Sequence, residues 1–303
     1  VGKHFYDQET FSKHIEMIRL ALGTAQFGMR YGIVNQTGQI SLQAAKDMLN
    51  LAKVSGVNTL DTAIAYGESE ASLGKVGVSD FRIVTKLPGI PEGTADVSSW
   101  ISEQLSNSCD RLKVDTLDAV LLHRPEQLLG SDGRDIYKAL QRLRDKGLFT
   151  KIGISVYAPE ELAQIIPRYQ LDIVQAPLNL VDRRFVTSGW LARLKNDAIE
   201  VHTRSAFLQG LLLQSAQTLP AKFTQWSGLW DYWRQWLSDH GQSALRTSLI
   251  YPLSFSEIDR VVVGADSDVQ LMQIISAASY KEPLDFPNLQ CDDQDLINPA
   301  RWS

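Results

Sequence analysis

The chain predicts a (β/α)8 barrel whose active site lies at the carboxyl ends of the strands. Short apolar runs alternate with helical patterns eight times over, and the length of 303 residues suits one large α/β barrel. Its rival, an open doubly wound sheet, lacks support. The G-x-G-x-x-G turn expected after the first strand is missing, since Gly23 and Gly28 do not have that spacing, and there is no P-loop. Polar residues also gather where the apolar runs end, as a barrel's catalytic face requires.

Residues 1–17 read as an N-terminal extension, with a short helix expected from Glu9 to Met17 and with His4 and His14 exposed. Strands are expected at 18–23, 57–61, 81–86, 117–122, 150–155, 171–177, 198–203 and 258–263. The helical patterns lie at 41–54, 68–76, 97–112, 134–146, 158–167, 187–196 and 242–253, with a further helix after the eighth strand. Ser41 reads as an N-cap followed by apolar positions Ala44, Met48, Leu51 and Ala52, and Gly56 as the stop. Lys146-Gly147 ends another helix in the same way. Trp226, Trp230, Trp233 and Trp236 fall on one helical face, which favours packing over carbohydrate stacking. The loop from Leu211 to Phe223 is long enough to fold across a bound ligand. No linker divides the chain, so 1–303 reads as one domain with a tail at 279–303.

Composition narrows the function class. A net charge of −5 and no Lys/Arg-rich run argue against nucleic acid as a partner. Two cysteines, Cys109 and Cys291, stand far apart, which predicts neither a disulfide framework nor a zinc site and suits a reducing cytoplasm. No apolar run is long enough to span a bilayer, and the N-terminal residues do not read as a secretory signal.

Chemistry concentrates between Thr59 and Lys86. Asp61 closes one apolar run, Tyr66 follows in a small-residue loop ending at Gly67, and Lys86 closes the next run; His123 closes the one after. An unassisted phenol is a weak acid, with a pKa of about 10. A neighbouring ammonium favours its ionised form, and a carboxylate can hold that ammonium in place. Such a phenol can pass a proton to or from a carbonyl oxygen, which a histidine can orient. Asp61 and Lys86 by themselves read equally well as a structural ion pair. The four positions together outweigh that reading.

These residues carry a resemblance. Asp61-Thr62-Ala63-Ile64-Ala65-Tyr66-Gly67, Lys86 and His123 match, in order and approximate spacing, the motif of the aldo-keto reductases, here of bacterial type, over about Arg19 to Ala277. The resemblance implies an enzyme that uses NADP(H) or NAD(H) and no metal. It would reduce an aldehyde or ketone, or oxidise the matching alcohol, with Tyr66 as general acid/base, Lys86 tuning it, Asp61 fixing Lys86 and His123 orienting the carbonyl. It further implies Gly23 and Thr24 at the nicotinamide ribose, and Ser155 and Gln175 at the carboxamide. Arg204, Ser205, Phe207 and Gly210 would line the cofactor after the seventh strand, and Gly264, Ser267 and Gln270 would hold the adenosine.

Two departures stand out. Val156 replaces the usual asparagine, and Arg204 the usual aromatic, whose stacking role a guanidinium plane can take over. Asp266 and Asp268 occupy the segment where basic residues usually grip a 2′-phosphate, which leans toward NAD(H) against the family's NADP(H) default. Substrate-pocket walls are expected from Gln26, Phe27, Tyr31, Arg124, Tyr157 and Asn179, with Arg183 nearby. Their polarity favours a sugar or another small polar carbonyl. Two other readings keep the barrel: a non-catalytic cofactor-binding subunit that senses redox state, and an isomerase or lyase without external nicotinamide.

Overall fold

The computed structural model describes residues 18–35, 37–280, 282 and 284–302. The helix expected at Glu9–Met17 and the exposed His4 and His14 lie outside the described residues. Eight parallel strands close on themselves in sequence order: β1 Leu20–Gly23, β2 Thr59–Asp61, β3 Arg82–Leu87, β4 Leu117–Leu122, β5 Phe149–Ser155, β6 Ile173–Pro177, β7 Glu200–Arg204 and β8 Arg260–Val263. β1 pairs with β8 to complete the ring, so the expected barrel is what forms.

The helices are α1 Leu42–Val54, α2 Ser69–Val76, α3 Val97–Leu112, α4 Gly133–Asp145, α5 Pro159–Ile165, α6 Arg184–Thr187, α7 Trp190–Asn196, α8 Ser227–Asp239, α9 Ala244–Leu253, α10 Asp268–Ala278 and α11 Gln294–Ile297. Ser41 caps α1 as expected, its side chain accepting from the Ala44 N–H. The single helix expected at 187–196 is instead two, because Gly189 takes a left-handed φ of 76° between them.

Two apolar layers hold the barrel. The larger fills the space between strands and helices; the smaller, Val84, Ala119, Leu121 and Ile173, is separate from it. Gly153 is obligatory at that inner layer, since a Cβ there would fall 2.3 Å from the Ile173 carbonyl oxygen and 2.6 Å from Leu121 Cδ2. Near the strand starts the layer gives way to charge. Lys151 bridges Asp118 (3.2 Å) and Glu200 (2.6 Å), Arg82 pairs with Asp118 (3.1 Å), and His202 Nε2 meets Glu200 (2.8 Å). Burial alone would raise the Glu200 carboxyl, but hydrogen bonds from His202 and Lys151 hold it down to about 2. His202, buried in β7, is a core residue.

The tryptophan segment is packing. Trp230 and Trp233 are buried in α8, their indole N–H groups donating to the carbonyls of Phe223 and Leu212, each at 2.9 Å. Those bonds correct the expectation for residues 211–223. The segment is pinned to α8 and, through Phe223 against Trp302 (4.9 Å between centroids), to the C-terminal tail. Only its first part, Leu213 and Gln214, reaches the cleft described below. His240 caps the end of α8 and stacks on Trp236 at 4.2 Å.

Candidate active site

Asp61 ends β2, Lys86 is the penultimate residue of β3 and His123 follows β4, so parallel pairing brings all three to one rim. The Lys86 ammonium donates to Asp61 Oδ1 at 2.6 Å and to the Thr62 carbonyl at 2.9 Å. Its side chain is 1% exposed and that of Asp61 5%, so the two charges exist there only because each compensates the other. The second Asp61 oxygen accepts from Gln175 Nε2 at 2.6 Å.

Tyr66 is delivered by the loop between β2 and α2. That loop is clamped by two glycines: a Cβ at Gly28 would lie 2.0 Å from the Tyr66 carbonyl oxygen, and Gly67 has φ 53° with Gly28 O only 2.5 Å from its Cβ position. The Tyr66 ring then rests with the Lys86 ammonium 5.2 Å from its centroid and the His123 ring edge-on at 6.0 Å. All four expected residues therefore converge. Gly28, not foreseen from the sequence, contributes too: it closes the short 3-10 turn Ala25–Phe27 after β1 and meets the Tyr66 loop.

The protonation states differ from the simple expectation. Burial, followed by the negative charge of Asp61, pushes the Tyr66 phenol above its ordinary value, with Arg204 opposing. Lys86, 5.2 Å from the ring centroid, is paired with Asp61, whose own negative charge opposes ionisation of the phenol. His123 is pushed down to about 4 by burial and then by the positive charges of Lys86 and Arg204. At neutral pH the site holds a neutral phenol beside a neutral imidazole, and each has a proton to donate.

A cleft of about 540 Å³ opens from Asp61 and Tyr66 toward Gly264 and Gln270. Gly23, Thr24, Gln175, Arg204, Ser205, Phe207 and Gly210 line it between those ends. Ser155 does not line it but lies beside Gln175, Oγ to Oε1 3.5 Å. Ser267 caps α10 by accepting from the Gln270 N–H. The wall after β7 is strained: Ser205, Leu208 and Gln209 all have φ between 48° and 66°. The loop after β1 spans the cleft. Ile33 N–H donates to Gln209 Oε1 (3.2 Å), and Asn35 Nδ2 to Asp266 Oδ1 (3.1 Å). Asn35 and Gln209 were not foreseen, because their roles depend on loops distant in sequence. A wider, open hollow of about 760 Å³ lies around Lys151, Asp172 and Glu200, at the strand starts and away from this chemistry.

The expected substrate walls divide. Tyr31 stands beside Tyr66, 6.4 Å between centroids. Tyr157 lies under Arg204, with the guanidinium carbon 4.3 Å over its ring. Phe27, by contrast, is sealed in the core at 1% exposure. Asn179 is a brace, donating to the Ser205 carbonyl and accepting from the N–H groups of Val181 and Asp182. Gln26 packs at the other end of the cleft, its Nε2 2.7 Å from where a Gly264 Cβ would stand. Arg124 is exposed and pairs with Glu126, while Arg183 donates to the Leu180 and Pro287 carbonyls. Gln26 lines the cleft; the other four are structural or peripheral for a simple reason: proximity in sequence to a strand end does not say which way a loop side chain turns. Among the described residues no cluster of His, Cys, Asp or Glu is arranged to hold a metal ion, and no helix is long and apolar enough to cross a membrane.

A parallel barrel with a neutral phenol, a buried ammonium–carboxylate pair and a long cleft at its carboxyl rim fits an oxidoreductase of carbonyls and alcohols. The model of the Aldo/keto reductase family matches residues 19–285, and the chain belongs to that family. It is 25% identical to the uncharacterized oxidoreductase YqkF of Bacillus subtilis over 257 residues, 78% of this chain and 83% of that protein. It is 27% identical to the D-arabinose 1-dehydrogenase of Saccharomyces cerevisiae over 219 residues, 66% of this chain and 63% of that one. The fold is shared with an aldo-keto reductase from Bacillus halodurans solved in its holo form, with a TM-score of 0.70, 20% identity and 88% of each chain covered.

Proposed function

We propose that this chain reduces a small polar aldehyde or ketone, or oxidises the matching alcohol, with a nicotinamide dinucleotide and with Tyr66 as the proton-transferring residue. The observation that carries the reading is the convergence of Tyr66, His123 and the Lys86–Asp61 pair at one end of a cleft whose other end is the bare backbone of Gly264.

The cleft fits such a cofactor. Its volume lies within the range of ligand sites, a side chain at Gly264 would collide with Gln26, and the N–H groups opening α10 offer an anion site. Gly23, Thr24, Gln175, Gly264 and Gln270 would hold it, Gln175 through its Oε1, since its Nε2 is committed to Asp61. When bound, the nicotinamide supplies or accepts the hydride. Asp266 lines the adenosine end and Arg204 is the only basic residue lining the cleft among those described. A free 2′-hydroxyl suits that end better than a 2′-phosphate, so NAD(H) is the favoured form.

Tyr66 does the rest with its neighbours. In reduction its phenol donates a proton to the carbonyl oxygen, while the neutral His123 donates a hydrogen bond to the same oxygen and fixes its direction. The phenolate left behind forms beside the Lys86 ammonium, whose charge is worth more there than in water because the site is buried. The polar wall at Tyr31, and a relative named for D-arabinose, support a sugar or similar substrate.

The test is Tyr66→Phe, assayed by nicotinamide absorbance over a panel of sugars and aldehydes, with NADH and NADPH titrated by fluorescence. Turnover is expected to fall by about 10²–10⁴ with cofactor affinity retained and with NADH bound more tightly. Full turnover in the variant would remove Tyr66 from the reaction. Tight cofactor binding without turnover in the wild type would favour a redox-sensing subunit instead.

A further inference from the structure

Arg204 is a charge the reading above leaves unused. It ends β7 half-buried on the cleft wall. Of the part-buried arginines, Arg82, Arg111, Arg144 and Arg184 each meet a carboxylate, whereas Arg19, Arg183 and Arg260 donate to backbone carbonyls away from the cleft. Arg204, among the described residues, meets no carboxylate. Its Nη2 donates to the Val156 carbonyl at 3.0 Å and its Nη1 to Ser205 Oγ at 3.4 Å. The Tyr157 ring lies flat beneath its guanidinium at 4.3 Å. These contacts hold the fork in place and leave its other N–H donors without an acceptor among the described residues.

A half-buried guanidinium is costly to leave without an anion, and here the cost is incurred beside the reacting groups. Its positive charge is felt by both Tyr66 and His123. Val156 contributes only a backbone carbonyl to it, and Tyr157 only a ring face, so no carboxylate among the described residues competes for the open donors. We propose that the carbonyl substrate carries a carboxylate, which Arg204 binds through its fork while the carbonyl oxygen reaches Tyr66 and His123. The planar fork matches a carboxylate's two oxygens, and the pre-set plane reduces what must be ordered on binding. This rests on the reductase reading and narrows its substrate class to oxo acids and carboxylated aldehydes.

The experiment compares matched aldehydes, 4-carboxybenzaldehyde against benzaldehyde, with glyceraldehyde 3-phosphate against glyceraldehyde as the phosphate arm. The wild type is expected to favour the carboxylated aldehyde at least tenfold in kcat/KM, chiefly through KM. Arg204→Gln should collapse that ratio, and Arg204→Lys should keep part of it. Benzoate binding, followed by calorimetry, reads the same contact without turnover and should weaken tenfold or more in Arg204→Gln. Equal kcat/KM for the benzaldehyde pair, a ratio unmoved by Arg204→Gln, a larger preference for the phosphorylated aldehyde, or benzoate binding indifferent to Arg204 would each overturn the proposal. Turnover of both benzaldehydes without discrimination would leave the reductase reading standing. No turnover of any aldehyde would strike that reading, and benzoate would still decide this one.

Discussion

Burial keeps the Tyr66 phenol protonated at neutral pH, which the proposed proton donation requires. In the proposed reaction the buried Lys86–Asp61 pair would act on the phenolate that follows rather than on the resting phenol. His123 is the titrating group to watch. Unfolded, it takes a proton near 6.5; folded, only near 4. The unfolded chain therefore binds more protons between those values, so the stability due to neutral His123 is fully present above 6.5 and lost as pH falls through about 4. Urea midpoints of wild type and His123→Gln, compared across that window, should converge as the pH drops. Carbonyl reduction should likewise stay level from about pH 6 to 8 and decline only toward the acid value.

Among the elements, the loop carrying Tyr66 depends on backbone touching backbone. At Gly28 an added methyl meets the Tyr66 carbonyl and the Ser69 N–H at 2.0 and 2.1 Å, and neither is a flexible side-chain end. Gly28→Ala is expected to cost about 1–3 kcal/mol or more and to lower turnover with it, because the loop must shift to relieve the contact. Gly228→Ala, in α8 with nothing within 4 Å of the new carbon, is the control. It should be neutral or stabilising by about 0.5–1 kcal/mol. Thermal melts of both variants check the pair.

Across the whole molecule the barrel separates chemistry from stability. The carboxyl rim holds the phenol and the cleft, and the strand starts are held by the charged chain from Arg82 to His202. Glu200 titrates near 2 folded against 4.5 as a free carboxyl, so its contribution is present above 4.5 and lost as pH falls through about 2. Glu200→Gln should destabilise by about 1–3 kcal/mol at neutral pH while kcat stays at the wild-type value. A changed kcat would mean that the two ends of the barrel are coupled.

Strand order, barrel closure and the meeting of Asp61, Lys86, Tyr66 and His123 were legible in the chain itself. β2 and β3 are short apolar runs bearing Asp61 and Lys86 toward their carboxyl ends, His123 follows β4, and parallel pairing forces those ends onto one rim. The break between α6 and α7 was within reach too, at Ser188-Gly189, had the glycine been weighted more heavily. What only the tertiary structure decided was the direction of loop side chains and the balance of charge. Phe27 turned into the core, Asn179 into a brace and Gln26 toward Gly264, because each found its partner on a segment far away in sequence. The neutral Tyr66 and the unpaired Arg204 are likewise sums over neighbours from several strands. Periodicity reports one strand's own preference, and it carries no information about which charges the other strands bring within reach.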